Sequence, residues 1–325
     1  MGVNMKSRII GDKVVETAIK VFSDDFSNNS RAYIAPTGNV KEMCDLFDNY
    51  GSVLTVLGGG GIALESVLRG ASNVDCFDIS EHQHDYFELM LTCMTFFDYD
   101  EFCKYFSSDQ GKLLSFELYE KMYWFLEDGI ADRLKPAFFG PGMIDKYFRT
   151  DYMVDLERLK KFCSYYNEED YYKLKQNLDM IGGYLDFIKC DVSEVPERFA
   201  DKKYDLIFLD NIFQYYRDIK GLDDVHLVDK FIKKKLSKLL NDDGIIQVNY
   251  GFELATDAVI EKFGYDIEGM SVDVNRFVQY EMNNSINTGL LTGYNGYDVS
   301  FISGTESSEN NKRMNMVLTY KKPKN

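Results

Sequence analysis

The chain has 325 residues, 45% of them hydrophobic, which is enough to bury a sizeable core in one large domain or two smaller ones. Its 53 acidic and 37 basic residues give a formal net charge of -16, so phosphate backbones and anionic lipid surfaces should repel it, and nucleic acid is not an expected partner. Six widely spaced cysteines without a CxxC pair indicate a reduced, cytoplasmic protein with buried thiols. No stretch approaches the ~18 apolar residues of a spanning helix, so we expect no stable membrane insertion.

The first part of the chain predicts a helical cap, followed by a strand, a turn, a helix and a second strand. Residues 1–50 predict a short helical cap, and the run VLTVL at 53–57 predicts a strand buried on both faces. Four glycines follow, then a helical pattern at 62–69 that stops at Gly70. The segment NVDCFDI at 73–79 predicts the next strand. Together they form a βαβ unit of about 30 residues.

Residues 82–180 interrupt this alternation. They are rich in Phe, Tyr, Leu, Met and Lys and have few turn signals, which favours several helices. An insertion at this point leaves the carboxyl end of a strand, where doubly wound sheets bind ligands. We therefore expect a lid or substrate cap, with an aromatic-rich inner face that holds an apolar or amphipathic molecule over a cofactor.

The alternation of strands and helices resumes after the insertion. Strands are predicted at 185–192, 204–212 and 244–250, helices around 225–240 and 255–263, and a terminal antiparallel hairpin at 297–303 and 313–322. This order predicts an α/β fold with a doubly wound parallel sheet and a hairpin at its edge. The expected domains are an N-terminal helical cap (1–50), a Rossmann-like cofactor domain in two parts (51–81 and 181–325) and the helical insertion between them (82–180).

The glycine loop predicts a site for a nucleotide or an adenosine-bearing cofactor. Gly58, Gly59 and Gly60 at a strand-to-helix turn let the backbone approach a ligand and leave helix N–H groups facing it. Asp78, at the tip of the second strand, can accept hydrogen bonds from both ribose hydroxyls. Asp191 ends the third strand in the same way and is placed to accept from an adenine amino group.

Two classes of cofactor compete for this loop. Gly58, Gly60 and Ala63 satisfy G-x-G-x-x-A, the fingerprint of dinucleotide-binding proteins, and this keeps an NAD-dependent oxidoreductase open. Asp191, the terminal hairpin and the lack of a convincing acid or base for hydride transfer favour S-adenosylmethionine instead. His82 and His84 flank Gln83, and two residues apart on a helix they point to different faces, so we predict no metal site.

Four segments carry a resemblance to a known family: VLTVLGGGG, NVDCFDISEHQ, DYFELMLTCMTFFDYDEFCKYF and YDLIFLDNI. They resemble class I S-adenosylmethionine-dependent methyltransferases, and more narrowly the group of the 3-amino-3-carboxypropyl transferase of betaine-lipid synthesis and its bacterial relatives. The resemblance covers about residues 51–106 and 185–250. It implies a Rossmann-like methyltransferase sheet with these residues around the cofactor: Gly58, Gly60, Asp78, Gln83, Asp191, Asp210 and Asn211. Thr55, Ile62 and Asp210 depart from the residues usual in the family.

Several further residues are predicted to bind the cofactor or to take part in catalysis. Gly59, Ile79 and Val192 neighbour the residues implied by the resemblance, and Tyr33 can cover the cofactor from the N-terminal cap. Gln83 has an alternative role, because Ser80 and Gln83 have the spacing of a capping box. The tip of the fourth strand supplies Asp210 and Tyr215 as candidate catalytic residues.

The sequence therefore predicts a transferase that uses S-adenosylmethionine to move a methyl or a 3-amino-3-carboxypropyl group. The acceptor is expected to be a small molecule or an individually bound lipid, and the oligomeric state is left open. Two alternatives remain: an NAD-dependent oxidoreductase, and a non-catalytic sensor that binds the cofactor.

Overall fold

The computed structural model describes residues 31–36, 38–48, 50–139, 143–149, 155–181, 185–213, 225–255, 296–303 and 311–323. Its strands are β1 (Ser52–Val56), β2 (Asn73–Asp78), β3 (Leu185–Lys189), β4 (Tyr204–Phe208), β5 (Leu240–Ala255), β6 (Asp298–Ser303) and β7 (Asn311–Lys321). They form one seven-stranded sheet in the order β3-β2-β1-β4-β5-β7-β6. The first five pair in parallel, whereas β7 pairs antiparallel with both β5 and β6.

The helices lie on both faces of this sheet. Before the insertion they are α1 (Val40–Cys44) and α2 (Gly61–Leu68). Those of the insertion are α3 (Glu81–Phe96), α4 (Tyr99–Phe106), α5 (Phe116–Met122), α6 (Asp128–Phe138), α7 (Ile144–Tyr147), α8 (Leu156–Phe162) and α9 (Glu168–Ile181). After it come α10 (Val195–Arg198) and α11 (Val225–Lys234). The predicted fold class is confirmed: a doubly wound sheet with a terminal antiparallel hairpin and a helical insertion after the second strand.

Two hydrophobic clusters explain why the parallel strands lack an apolar–polar alternation. Successive side chains of a strand point to opposite faces, and here both faces are covered by helices. Val53 packs into the cluster beneath α2 and the insertion, while its neighbour Leu54 packs into the cluster with α10 and α11. Both side chains are fully buried. The sheet is therefore held by apolar contacts on both sides of the same strands.

The insertion shares its core with the first of these clusters. Among its largest fully buried side chains are Tyr86, Tyr105, Phe102 and Tyr166, and they belong to the same cluster as Val53 of β1. Part of the aromatic clusters that the sequence placed on the inner face of a substrate cap thus packs the protein core, whereas the rings of Phe96, Phe116, Trp124 and Phe125 are exposed. The domain boundaries themselves stay a prediction.

Some predicted elements differ from the structure at their ends. The helix expected around 225–240 is α11 followed by a short 3-10 helix at Leu236–Leu239. Strand β5 is longer than expected, because ladder pairing with β7 continues to Ala255. It therefore takes in the first residue of the helix predicted at 255–263, and the rest of that helix lies outside the described residues. So does most of the predicted N-terminal cap, of which α1 is described.

The cysteines and the helix lengths bear on the expectations drawn from composition. All six cysteines are buried, and none forms a disulfide. In the described part of the chain, no helix is long and apolar enough to cross a membrane.

Candidate functional site

A pocket opens at the carboxyl ends of β1 to β4, where the predicted site residues were expected to meet. Of the residues predicted to bind the cofactor, all except Gly60 line it: Tyr33, Gly58, Gly59, Asp78, Ile79, Gln83, Asp191, Val192, Asp210 and Asn211. The sequence did not predict the roles of Arg31, Ala35, Pro36, Cys190 and Ile212, which also line it. Tyr215 lies outside the described residues.

The glycine loop joins β1 to the N-terminus of α2. Gly60 has a φ of 78°, in the left-handed region, and a β-carbon on it would lie 2.5 Å from the Phe87 ring. Gly60 thus makes the turn and starts the helix without lining the pocket. Gly59 lies close to the backbone of Ala35, since a β-carbon on Gly59 would lie 2.9 Å from the Ala35 carbonyl carbon. The loop leaves no room for larger residues at either position.

Asp78 links the glycine loop to the second strand. Its carboxylate accepts hydrogen bonds from the Gly58 N–H at 3.2 Å and the Ser80 N–H at 2.9 Å. Desolvation by the surrounding protein raises the pKa of Asp78 to about 6, although the backbone donors oppose this rise. A carboxylate has about four acceptor sites on its two oxygens, so beside its backbone donors Asp78 keeps acceptor capacity for ligand hydroxyls. Asp78 is therefore ionised at neutral pH and suited to bind two vicinal hydroxyls.

A segment of the N-terminal region, residues 31–36, crosses the glycine loop, and we call it the strap. The side chain of Gln83 accepts from the Tyr33 N–H at 2.7 Å and donates to the Tyr33 carbonyl at 2.9 Å. Ser80 makes no side-chain cap to α3, so the predicted capping box does not form. Because the strap needs partners for its backbone, Gln83 pairs with it instead.

The insertion fixes the strap at further points. The Ala32 N–H donates to the Tyr147 carbonyl, and the Arg149 N–H donates to the Ala32 carbonyl, both at 2.7 Å. The Tyr86 hydroxyl donates to the Ile34 carbonyl at 2.7 Å. From residues 82–180, only Gln83 is among the described pocket-lining residues. The insertion thus shapes the pocket mainly by holding the strap.

Asp210 lies just beyond β4 in an unusual conformation. Its φ of 42° is rare for a residue with a side chain. The Asn249 side-chain amide donates to its carboxylate at 3.0 Å, and the Asn249 N–H donates to its carbonyl at 2.9 Å. Burial raises the pKa of Asp210 above its ordinary value, and the Asn249 amide opposes the rise. In the sequence, the polar Gln247 and Asn249 within an apolar strand indicated polar contacts on one face of β5, but not that Asp210 is the partner.

Asp191 begins a turn after β3. Its carboxylate accepts from the Ser193 N–H at 2.8 Å, and its own N–H donates to the Glu194 carboxylate at 3.0 Å. The buried Val192 lies beside it at the pocket wall. This end of the pocket combines an acceptor with an apolar surface, which suits a flat heteroaromatic ring carrying an amino group.

The two histidines next to the site contact aromatic rings. The His82 ring lies 4.9 Å from that of Tyr147, and His84 stacks on Phe187 at 4.3 Å. Among the described residues, no group of three or more His, Cys, Asp or Glu side chains could hold a metal ion.

The chain was compared with protein-family models, with curated proteins and with solved structures, and only the solved structures match. No family model and no curated protein matches the chain. Solved structures do match, among them a putative S-adenosylmethionine-dependent methyltransferase from Listeria monocytogenes, with 12% identity, a TM-score of 0.37, and 88% of this chain and 98% of that chain covered.

Two further similar structures are methyltransferases by their descriptions. The N-methyltransferase NodS from Bradyrhizobium japonicum is 8% identical with a TM-score of 0.29, and 94% of this chain and 96% of that chain are covered. The methyltransferase domain of bacterial CtHen1 is 10% identical with a TM-score of 0.31, and the coverage is 86% and 95%. Identities and TM-scores this low carry no argument about activity, which therefore has to be argued from the site.

Proposed function

We propose that this chain is an S-adenosylmethionine-dependent transferase that moves a methyl or a 3-amino-3-carboxypropyl group to a small-molecule or lipid-like acceptor. The observation that carries the proposal is the order of groups along the sheet edge. Because the strands run β3-β2-β1-β4, their tips present Asp191, Asp78, the glycine loop and Asp210 in that sequence. The cofactor has the matching order of adenine, ribose and methionine tail.

The residues along the edge fit these parts chemically. Asp191 offers an acceptor to the adenine amino group, and Asp78 offers two oxygens to the ribose hydroxyls. The backbone of the glycine loop and the N-terminus of α2 can approach the tail closely, because Gly58 and Gly59 carry no side chains. Neighbouring strands lie about 4.8 Å apart, so the four tips span the length of an extended nucleoside with a tail.

When bound, S-adenosylmethionine supplies a sulfonium whose attached carbons are open to nucleophilic attack. The part of the protein is to align the acceptor with one carbon–sulfur bond and to exclude water. Asp210 borders the part of the pocket beyond the glycine loop and can take a proton from an amine or hydroxyl acceptor as it attacks. Tyr215 remains a second, untested candidate for this role.

The sheet topology weighs against the dinucleotide alternative. The usual dinucleotide-binding sheet has the order 3-2-1-4-5-6 with parallel strands. Here an antiparallel strand, β7, lies between β5 and β6. The G-x-G-x-x-A spacing of the loop is compatible with both S-adenosylmethionine and a dinucleotide, so it does not distinguish the two functions. Binding of NADH would favour the oxidoreductase.

The test of the proposed function is product analysis. The protein is incubated with S-adenosylmethionine and fractions of small molecules and lipids, and mass spectrometry follows the spent cofactor. Accumulation of S-adenosylhomocysteine means methyl transfer, and accumulation of methylthioadenosine means aminocarboxypropyl transfer. The Asp78→Asn variant is the control and should form less of either product. Cofactor binding without either product in any fraction would contradict the transferase and favour the sensor.

A further inference from the structure

Asp210 is held in one position by two hydrogen bonds from β5. Asn249 donates its backbone N–H to the Asp210 carbonyl at 2.9 Å and its side-chain amide to the Asp210 carboxylate at 3.0 Å. Asn249 is 2% exposed. A buried side chain bonded in this way keeps the carboxylate in place although its backbone has a positive φ. The protein thus maintains a strained, oriented acid at the edge of the pocket.

The strand order places this acid next to the reacting end of the cofactor. Asp78 and Asp210 lie on opposite sides of β1, about two strand spacings or 10 Å apart. The sulfur of S-adenosylmethionine is joined to the ribose through a single carbon. A ribose held by Asp78 therefore directs the sulfur across the glycine loop and toward Asp210.

We propose that the Asp210 carboxylate pairs with the cofactor sulfonium and makes the pocket select the charged cofactor over the neutral thioether left after transfer, with Asn249 as the residue that positions Asp210. The inference rests on the proposed function. In the transfer, the nucleophile bonds to carbon, the carbon–sulfur electron pair returns to sulfur, and the proton of an amine or hydroxyl acceptor passes to the Asp210 carboxylate. The positive charge on sulfur disappears, and with it the attraction to Asp210, so release of the spent cofactor is favoured.

The charges around Asp210 are consistent with this role. The other ionisable groups among the described lining residues are Asp78, Asp191, Arg31, Tyr33 and Cys190. From β5, the side chain that contacts Asp210 is the uncharged Asn249. Its amide favours the ionised carboxylate, because it donates a hydrogen bond to it.

The experiment compares affinities for S-adenosylmethionine and S-adenosylhomocysteine by calorimetry at pH 8. Asp210→Asn removes the charge and keeps the size of the side chain. We expect it to weaken S-adenosylmethionine binding about tenfold or more while the affinity for S-adenosylhomocysteine changes less than about threefold. The ratio of the two dissociation constants is the readout, since a structural defect moves both constants together.

A second pair of variants tests the positioning role and covers the case in which Asp210→Asn does not fold. Gln247 and Asn249 lie two residues apart on β5, both are at most 2% exposed, and each has one polar atom without a partner among the described residues. Asn249→Leu should lower the selectivity ratio several-fold, whereas Gln247→Leu, which loses no bond to Asp210, should leave it unchanged.

Each outcome bears on the proposal. A selectivity ratio that falls in Asp210→Asn and in Asn249→Leu but not in Gln247→Leu supports it. A ratio that stays the same in Asp210→Asn, or in Asn249→Leu if Asp210→Asn does not fold, overturns it and leaves the proposed function standing. If the unmodified protein binds neither compound, the proposed function fails and this inference fails with it.

Discussion

Asp78 holds the glycine loop and, in the proposed function, also binds the ribose. Its carboxylate holds the Gly58 N–H, and its free lone pairs face the pocket. Because desolvation raises the pKa of Asp78 to about 6, protonation of this group falls within an accessible pH range. The neutral acid is a poorer acceptor than the carboxylate, so hydroxyl binding requires the ionised form.

We predict that the affinity for S-adenosylhomocysteine falls as the pH drops below about 6, by up to tenfold per pH unit. The sign follows from the raised pKa: the carboxylate is ionised above it and must lose a proton to bind ligand below it. S-adenosylhomocysteine is the ligand of choice, because it lacks the charge that Asp210 would sense. Calorimetric titrations from pH 7.5 to 5 measure the effect.

The Asp78→Asn variant is the matched control for this profile. It should bind at least tenfold more weakly at pH 7.5, because charge-assisted hydrogen bonds contribute about 1.5–3 kcal/mol each. Its affinity should also vary little between pH 7.5 and 5. A variant that folds and binds with unchanged affinity would remove Asp78 from the ribose site.

At the scale of elements, the sequence predicted Tyr33 at the site but did not reveal which residues hold the strap there. The βαβ unit was predictable because its glycines, helix and acid follow one another within about 30 residues. The contact between Tyr33 and Gln83 joins residues 50 positions apart, and that between Asp210 and Asn249 joins residues 39 apart. Such pairs depend on tertiary packing, whereas local spacing suggested a capping box for Gln83.

We predict that Gln83→Leu lowers the free energy of unfolding by about 1–3 kcal/mol, because it removes the two hydrogen bonds between the Gln83 side chain and the Tyr33 backbone. It should also weaken S-adenosylmethionine binding, since the strap lines the pocket. Urea denaturation and calorimetry measure the two effects. Gln176→Leu, at an exposed position of α9, is the control. Equal stabilities for the two variants would mean that Gln83 does not hold the strap.

Within the insertion, an ion pair with one buried partner joins α3 to α6. Asp85 of α3 is fully buried, and Arg133 of α6 donates to both of its oxygens at 2.6–3.0 Å. The two helices also belong to the shared core. Loss of Arg133 would therefore remove the main partner of the buried Asp85 charge.

We predict that Arg133→Leu lowers the free energy of unfolding by about 1–3 kcal/mol, because Asp85 is buried but solvent at the partly exposed Arg133 screens the pair. Replacing both partners, in Asp85→Leu with Arg133→Leu, should restore much of that loss, because no buried charge remains. Lys160→Leu, which removes an exposed ion pair with Glu157, should have no measurable effect. The ion pair is unimportant if the single Arg133 variant unfolds at the same urea concentration as the unmodified protein.

At the scale of the whole molecule, the topology determines which groups meet. The alternating strands and helices predicted the sheet and its antiparallel edge, because buried parallel strands and hairpins have distinct local patterns. The aromatic residues of the insertion could not be assigned in this way. A ring in a helix has the same spacing whether it packs a core, lines a pocket or faces solvent, and here Tyr86 and Phe102 are buried in the core while Trp124 is 84% exposed.

The measurement that tests the central claim most directly is a calorimetric titration of the unmodified protein with S-adenosylmethionine and, separately, with NADH. We predict that one S-adenosylmethionine binds per chain, that Asp78→Asn weakens this binding at least tenfold, and that NADH does not compete. Saturable binding of NADH without binding of S-adenosylmethionine would contradict the account and assign the glycine loop to a dinucleotide.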